Sequence, residues 1–355
     1  MRSRIIAITL PLTLVLAAIA MLLPTGFVVR SPGPTRDTLG AQRLGASEIP
    51  LVAINGADTF PTSGELLLTT VSVSGGPIGP VMPLDALAGW AVPSRSVVPV
   101  ESVFRPGVTR QEQQQQSAAQ MITSQEAATA AALLELGFEI PTTMTIVGTS
   151  ADSHAVDIVE GGDIVQSLNG MTITSQPQLL GLLTDIAPET TVTLTVERNG
   201  TIMDLPIRTG SATNPDGSER AALGIFLGTD FNFPVDVEIQ IDNIGGPSAG
   251  MMFALAIIDR LTEVDELQGI SVAGTGTIGS NGDVGAIGGV VQKMHGALRD
   301  GSNWFLTPTA NCGEVIGAVP RGMNVVAVST LSEARAAIEA IGAGDTSELP
   351  SCSAA

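Results

Sequence analysis

One lysine and one serine are the residues in this sequence most suited to act together as a base and a nucleophile. Lys293 is the single lysine, and the other cationic side chains are arginines apart from two histidines. Arginine stays charged in proteins, whereas a lysine removed from water can lose its proton and act as a base. Ser248 lies in the turn GGPSAG, directly before an apolar helix pattern. A serine hydroxyl needs such a base before it can attack a carbonyl carbon.

The position of Ser248 predicts how a reacting carbonyl oxygen would be stabilised. Backbone N–H groups at a helix start lack helical partners and carry partial positive charge, which suits a developing oxyanion. An ordinary helix N-cap serine fits the same position, and the single lysine is what favours the catalytic interpretation. A Ser-His-Asp site stays open as an alternative, although His295 lies two residues beyond Lys293 and so on a different helix face.

For Lys293 to act as a base near pH 7, its pKa must fall by roughly three units, which corresponds to about 4 kcal/mol. Burial of the amine among apolar neighbours supplies a shift in that direction, because low dielectric disfavours the charged form. Val290, Val291 and Met294 surround Lys293 in the sequence. The sequence therefore predicts a desolvated lysine close to Ser248.

These segments resemble the proteolytic domain of the Lon family of serine proteases. The resemblance rests on GGPSAGMMFALAI and, further on, AGTGTIGSNGDVGAIGGVVQK. It implies that Ser248 is the nucleophile, that Lys293 is the general base, and that the Thr275 hydroxyl hydrogen-bonds the lysine. The supporting residues of the nucleophile turn would be Gly246, Pro247 and Ala249.

The resemblance does not extend to an ATPase. The sequence contains no G-x-x-x-x-G-K-[ST] motif, since its single lysine is followed by Met294. We therefore expect peptide hydrolysis without ATP, on segments that are already unfolded, and no metal, nucleotide or other cofactor. Two positions that are often acidic in the family are Gly245 and Thr277 here.

Residues 136–212 resemble a PDZ domain, which implies a β-rich fold with two helices. Leu136-Gly137-Phe138 matches the carboxylate-binding loop, and GGDIVQSLNGMTI matches the strand, tight turn and strand that follow. Such domains add an extended peptide to a sheet edge and capture its terminal carboxylate. Leu179 and Leu183, on a helix predicted over 177–186, would line the groove for protein or peptide substrates. A unit that only packs against the protease stays open as an alternative.

The N-terminal residues predict a membrane segment. Ile5 to Val29 is an uncharged run longer than the roughly 20 residues that cross a bilayer core. Arg2 and Arg4 ahead of it favour an N-terminus in the cytoplasm. A cleaved secretory signal ending at Ala18-Ile19-Ala20 is the competing interpretation. Both place the rest of the chain outside the cytoplasm, and the first predicts a single-pass protein of the cell membrane with an extracytoplasmic catalytic region.

The composition argues against several classes of binding partner. A formal net charge of −19 disfavours nucleic acid and anionic lipid headgroups. An aromatic content of 3%, with no tyrosine, argues against platforms for base stacking. Cys312 and Cys352 could form a disulfide outside the cytoplasm, and two unpaired thiols fit the sequence equally well.

The mixture of predicted strands and helices indicates an α/β (α+β) fold for the catalytic part. The predicted organisation is an anchor or signal over 1–30, a linker over 31–60, a strand-and-helix region of the protease fold over 61–135, the PDZ domain over 136–212, the Lon-type domain over 222–342 and a tail over 343–355. The predicted function is an ATP-independent serine endopeptidase that cleaves unfolded or tail-exposed extracytoplasmic or membrane proteins. The alternatives are a catalytically silent PDZ scaffold and a self-cleaving membrane protein. Lon-type domains form rings, so a homo-oligomer is expected by analogy.

Overall fold

The computed structural model describes residues 16, 19–44, 47–213, 218–242 and 244–352, and these form two compact units. Unit 1 contains the described residues up to Phe138 and those from Val235 onwards, and unit 2 contains those from Glu139 to Pro234. Unit 2 is therefore inserted into the chain of unit 1, and each unit is described by itself below.

The strands, in chain order, are β1 (Phe27–Asp37), β2 (Ala41–Leu44), β3 (Ser47–Pro50), β4 (Val52–Asn55), β5 (Glu65–Ser74), β6 (Ser96–Pro99), β7 (Thr142–Thr149), β8 (Ile164–Leu168), β9 (Met171–Thr172), β10 (Thr191–Arg198), β11 (Thr201–Arg208), β12 (Gly210–Thr213), β13 (Glu219–Ala222), β14 (Ile225–Phe231), β15 (Asp236–Ile239), β16 (Ser271–Gly274), β17 (Thr277–Ile278), β18 (Val284–Gly285), β19 (Trp304–Pro308) and β20 (Asn324–Val328). The α-helices are α1 (Pro83–Ala91), α2 (Arg110–Glu135), α3 (Gln176–Thr184), α4 (Gly250–Leu261), α5 (Val290–Arg299), α6 (Cys312–Val315) and α7 (Leu331–Ala343). Short 3-10 turns lie at Gly76–Ile78, Val100–Ser102 and Thr309–Asn311.

Unit 1 is built on a six-stranded sheet of order β20-β19-β16-β5-β1-β6. Its first four strands run parallel, whereas β1 is antiparallel to both β5 and β6. The helix α4 is apolar almost all round, and every residue from Gly250 to Asp259 is buried. Helices α2 and α7 pack with α4 around one apolar core, as a helix without a polar face requires.

The region predicted as a linker, 31–60, contains most of β1 and the short strands β2, β3 and β4, so that prediction is wrong. The run Pro32-Gly33-Pro34, which contributed to the linker prediction, lies in β1, whose pairing with β5 shifts register between Pro32 and Thr35. A Cβ on Gly33 would lie 2.2 Å from the Thr70 hydroxyl oxygen, so the strands approach there at a distance that favours glycine. A Gly- and Pro-rich composition therefore marks a β-bulge rather than a flexible segment.

The structure also bears on the other predicted boundaries in unit 1. The sheet places β5 between β1 and β16, and α2 contributes Met121, Ala128 and Ala131 to the core around α4. The region 61–135 therefore lies in the same unit as Ser248 and Lys293. The thiols Cys312 and Cys352 are joined in a disulfide, which ties the C-terminal tail to the start of α6.

Unit 2 has its own sheet and its own core, and the predicted boundaries 136–212 and 222–342 need correction. The sheet order is β11-β10-β8-β7-β14, with β9 beside β8. Strand β14 pairs with β7, with Phe231 opposite Thr142, so the chain continues in unit 2 up to Pro234. The described residues of unit 2 include one α-helix, α3, whereas the resemblance to a PDZ domain implied two helices.

No helix among the described residues is long and apolar enough to span a bilayer. Most of the predicted segment Ile5–Val29 lies outside the described residues, which begin with residue 16 and continue from 19. The last part of that segment, Phe27–Val29, forms the start of β1, where Val28 and Val29 are buried. The end of the uncharged run is therefore part of the sheet.

Candidate active site

Ser248 lies in the turn directly before α4, with Ala249 as the N-cap residue of the helix. Its carbonyl oxygen accepts hydrogen bonds from the Gly276 N–H and the Thr275 hydroxyl, both at 3.0 Å. The carbonyl oxygen of Pro247 accepts one from the Ser124 hydroxyl of α2 at 3.1 Å. The turn is thus held from two sides, by the segment after β16 and by α2, while the Ser248 side chain lines an open cleft.

Lys293 comes from α5, whose first residue follows a left-handed Gly289. Its Nζ lies 2.7 Å from the Ser248 Oγ and donates to the Thr275 Oγ1 at 2.7 Å. Lys293 is only 2% exposed, and within the described part of the chain it forms no ion pair. Burial lowers the pKa of Lys293 from 10.5 to about 7, because the ammonium loses its hydration and no described carboxylate pairs with it.

Thr275 fixes the direction in which the amine can act. Its side chain is fully buried, and its hydroxyl proton is donated to the Ser248 carbonyl oxygen. Its oxygen is therefore an acceptor for one N–H of Lys293. A neutral amine that donates to Thr275 can direct its lone pair at the Ser248 hydroxyl, so the three side chains form one ordered proton path.

The backbone around Ser248 offers donors for an oxyanion. The N–H groups of Ser248 and Ala249 make no hydrogen bond to any described residue. The N–H of Gly246, in contrast, is donated to the Ser117 carbonyl oxygen at 3.0 Å and is not available. Gly246 has a φ of 87°, which explains a glycine at this position of the turn. Pro247 has no N–H. Of the predicted supporting residues, Ala249 is therefore the one that can contribute a donor.

The cleft in front of Ser248 has a volume of about 610 Å³ and runs along β5. Lys293 is its one charged lining residue among those described, and the side chains of Val71, Val73, Ile244 and Ile287 make much of the wall apolar. Gly245 and Thr277 also line the cleft, and neither has the acidic side chain that is often present at these two positions in the family.

One edge of β5 is unpaired where it lines the cleft. The strand β16 pairs with β5 only as far as Leu68, opposite Gly274. The Glu65 N–H bonds towards the β16 side, to Ile270. Because backbone groups alternate along a strand, Val71 and Val73 present theirs on that same side. No described strand occupies this part of the edge, so an extended peptide could pair with it.

Asn311 supports the opposite wall of the cleft, and sequence reasoning missed it. Its side-chain oxygen accepts from the Ile287 N–H at 3.0 Å, and its amide nitrogen donates to the Ile287 carbonyl at 2.8 Å. Asn311 is 2% exposed and adjoins the disulfide-bonded Cys312. The pattern Thr-Pro-Thr-Ala-Asn at the end of β19 gave no signal for this role, because the contact spans 24 residues.

The prediction that Leu136-Gly137-Phe138 forms a carboxylate-binding loop is wrong. These residues lie in unit 1. These residues end α2: the Gly137 N–H is donated to Leu134 and the Phe138 N–H to Leu133, both at 2.9 Å. The donors that should bind a carboxylate are therefore already used in a helix C-cap. A glycine between two large apolar residues suits a helix end and a binding loop alike, so the sequence pattern did not distinguish them.

Unit 2 contains a different groove, lined by α3 and the turn from β13 into β14. The predicted residues Leu179 and Leu183 line it but are almost fully buried, and the more exposed Leu180 forms its rim. Across from them lies Leu223-Gly224-Ile225, with Gly224 at a φ of 65°. The N–H groups of Leu223 and Gly224 make no hydrogen bond to a described residue. This turn, rather than residues 136–138, has free donors facing a groove beside the outer strand β14.

Among solved structures, the chain is similar to the PDZ domain of the SdrC-like protein from Listeria monocytogenes. The two are 18% identical, and the match covers 24% of this chain and 85% of that one, with a TM-score of 0.21.

Curated relatives match the catalytic part. The archaeal Lon protease of Methanothermobacter thermautotrophicus is 31% identical over 161 residues, which are 44% of this chain and 24% of that protein. Lon protease 2 of Bacillus subtilis is 32% identical over 105 residues, 28% of this chain and 18% of that protein. The chain thus spans about a quarter or less of the length of these relatives. The family model of the Lon protease (S16) C-terminal proteolytic domain matches residues 240–339. That match includes Ser248, Thr275 and Lys293, so the three side chains of the site lie in the part of the chain that is similar to Lon protease C-terminal proteolytic domains.

Proposed function

We propose that this protein is an ATP-independent serine endopeptidase with a Ser-Lys dyad. The observation that carries the proposal is the buried Lys293 amine, which lies 2.7 Å from the Ser248 hydroxyl and 2.7 Å from that of Thr275. A pKa of about 7 leaves a large part of this amine neutral at physiological pH, so it can accept the serine proton.

In the proposed acylation step, the Ser248 Oγ attacks the scissile carbonyl carbon while Lys293 takes the hydroxyl proton. The N–H groups of Ser248 and Ala249 donate to the resulting oxyanion. The tetrahedral intermediate collapses, the C–N bond breaks, and the Lys293 ammonium returns its proton to the leaving amine. Water then attacks the acyl-enzyme with Lys293 again as the base, and Ser248 is released with its proton.

The cleft favours the binding of substrates that are already extended. A peptide that pairs with the free edge of β5 at Val71 and Val73 must have its own backbone groups unpaired, as in an unfolded segment or a chain end. The apolar, largely uncharged lining favours uncharged side chains at the cut site. The sequence has no phosphate-binding lysine motif, so unfolding by this chain with ATP is not part of the proposal.

Substrate recruitment is assigned to unit 2. An extended peptide could add to the outer strand β14 beside α3, with its terminal carboxylate on the N–H groups of Leu223 and Gly224. Leu180→Arg on the groove rim is expected to weaken binding of peptides with apolar C-termini, measured by fluorescence polarisation. Ile202→Arg, at an exposed position of β11, is the matched control. Equal binding by both variants would contradict the assigned groove.

We further propose that residues 5–23 attach the chain to the cell membrane as a single pass, with both units on the extracytoplasmic side. The support is the uncharged run after Arg2 and Arg4 together with the disulfide between Cys312 and Cys352, which persists in oxidising compartments. Accessibility of the two units to added protease in intact cells tests this orientation.

The deciding experiment compares the full chain with its Ser248→Ala variant on casein, without nucleotide. We expect cleavage by the native protein and none by the variant, with Ser211→Ala, at an exposed position of β12, as the matched control. Intact-mass analysis of the same samples detects self-cleavage. Casein cleavage that persists in Ser248→Ala would exclude the dyad, and a chain that binds casein without cutting it would be a scaffold.

A further inference from the structure

Helix α1 exposes an apolar stripe to solvent. Leu84, Leu87 and Trp90 recur every three residues along one face and are 63%, 49% and 59% exposed, and Val92 continues the stripe at 38%. Soluble surfaces rarely expose large apolar side chains in one contiguous group, so the stripe calls for a partner.

The orientation of α1 is fixed by its other face. Ala86 and Gly89 are buried there, and a Cβ on Gly89 would lie 2.6 Å from a methyl of Val97 in β6. The helix therefore lies close against β1 and β6, and a rotation that buried the stripe would drive larger side chains into the sheet.

The stripe adjoins the place where the apolar N-terminal sequence enters the fold. Trp90 contacts Phe27, the first residue of β1, edge to face with ring centroids 5.6 Å apart. Just before it, Thr25 donates through its N–H and its hydroxyl to the carbonyl oxygen of Val81, which precedes α1. Preceding Thr25, Leu22 and Leu23 are 75% and 59% exposed. We refer to Leu22, Leu23, Leu84, Leu87, Trp90 and Val92 as the apolar patch.

Two arginine side chains border the apolar patch. Arg95, His295 and Arg299 line a depression together with Val92. Arg299 is paired with the neighbouring Asp300 at 2.6 Å, whereas Arg95 is exposed and forms no ion pair with a described residue. The one acidic residue of α1, Asp85, accepts a hydrogen bond from the Met82 N–H at the helix start. In a chain with a net charge of −19, this border is a local exception.

We infer that the apolar patch lies in the headgroup region of a phospholipid bilayer. Exposed leucines with a tryptophan, next to arginines that can reach lipid phosphates, are typical of such an interface. The inference rests on the proposed membrane attachment, because residues 5–23 lead directly into the patch. A bilayer occupant is therefore continuous with the segment that precedes the patch, and it turns the β1–β6 edge of unit 1 towards the lipid.

The test uses the two tryptophans of the chain. The full chain is reconstituted in vesicles of phosphatidylcholine, with and without brominated acyl chains, and tryptophan fluorescence is recorded. In Trp304→Phe, only Trp90 emits, and bromine should quench its fluorescence about twofold or more, since interfacial rings sit at headgroup level. In Trp90→Phe, only Trp304 of the sheet emits, and quenching should be absent. Vesicles with phosphatidylglycerol, measured with and without the substitution Arg95→Gln, test whether Arg95 contributes to the contact between the apolar patch and the lipid.

Each outcome decides the inference. A Trp90 signal that bromine does not quench and that aqueous acrylamide does quench overturns it. Shielding of Trp90 that depends on protein concentration, without quenching by lipid, assigns the patch to a second copy and also overturns it. Failure of the chain to float with vesicles refutes the proposed attachment instead. Casein cleavage, measured on the same samples, reports the proposed peptidase independently of both.

Discussion

The two ends of α4 each have a buried titratable side chain nearby, and only one of the two is built for chemistry. Lys293 lies against Ser248 at the start of the helix, and Asp259 lies near its end. Both are 2% exposed. Burial lowers the pKa of Lys293 to about 7. Burial, together with the nearby carboxylates of Glu266 and Asp265, raises the pKa of Asp259 to about 7.

The difference between the two groups is their partners. The Lys293 amine contacts two hydroxyl groups and borders an open cleft. Neither carboxyl oxygen of Asp259 has a hydrogen-bond partner in the described part of the chain. A perturbed pKa therefore indicates a catalytic group only when a proton acceptor or donor and space for a substrate accompany it.

The largest expected effect is on activity at the start of α4. Lys293→Met keeps the side-chain volume and removes the base, so kcat/KM for a peptide should fall by about 10³-fold or more. Thermal unfolding of the variant should occur at the same temperature or higher, because an unpaired amine has been removed from the core. Initial rates and a melting curve of the same preparation measure both. If Lys293→Met lost its activity because it unfolded, the result would not support the catalytic role that distinguishes Lys293 from Asp259.

The pH profile is the next largest effect. Since Lys293 has a lowered pKa of about 7, its neutral form is lost as the pH falls through that value. The rate kcat/KM should therefore decline about tenfold per pH unit below 7 and level off above it. Asp259→Asn should give the same profile, because that carboxyl is remote from the cleft. A flat profile between pH 5 and pH 8 would contradict the role of Lys293.

Thr275→Val tests whether the partner group orients the amine. The change removes one hydrogen bond to Nζ and one to the Ser248 carbonyl, so kcat should fall about tenfold to a hundredfold with little change in KM. The matched control is Thr307→Val in β19, since the Thr307 hydroxyl is buried and has no described partner. Equal rates for Thr307→Val and the native protein, with a slower Thr275→Val, would support the assignment.

The smallest effect on activity, and a measurable one on stability, is expected from Asp259→Asn. A carboxyl group whose pKa is raised on folding stabilises the protein only while it is protonated, and this stability is lost as the pH rises from about 4 to about 7. At pH 8 the variant should be more stable by about 1–3 kcal/mol, and at pH 4 the two should be alike. Urea unfolding at both pH values measures this. Asp265→Asn should act in the opposite direction, because the pKa of Asp265 is lowered by its bond to Ser63.

The sequence was informative where chemistry and local pattern coincide. The apolar helix pattern after Ser248 is α4, the helix predicted over 177–186 is α3, and the strand-and-helix region predicted over 61–135 contains β5 and α2. Apolar periodicity and capping patterns such as Thr109 with Glu112 are local, so a single sequence contains them. The residues Ser248, Thr275 and Lys293 were chosen from the sequence, and the fold brings them together.

The sequence was misleading where a structure depends on distant partners. Residues 31–60 contain the glycines and prolines of a linker, yet β1 is held by β5 on one side and β6 on the other. The turn at Leu223-Gly224-Ile225 was not recognised because it lies after α3 and before the last strand of unit 2, whereas the predicted loop precedes the first strand. The contact of Asn311 with Ile287 likewise depends on tertiary structure that no local pattern shows.

The ends of unit 2 lie beside each other. Thr142 is opposite Phe231 where β7 and β14 pair, and the Asn232 N–H is donated to the Pro141 carbonyl at 2.9 Å. To the polypeptide of unit 1, the whole insertion is therefore equivalent to a tight hairpin turn. Once unit 2 is folded, it adds little to the entropic cost of bringing the two halves of unit 1 together. For an unfolded insertion, that cost would increase with the length of the loop. An ancestral chain could have gained the insertion, or lost it, at the cost of a few turn residues.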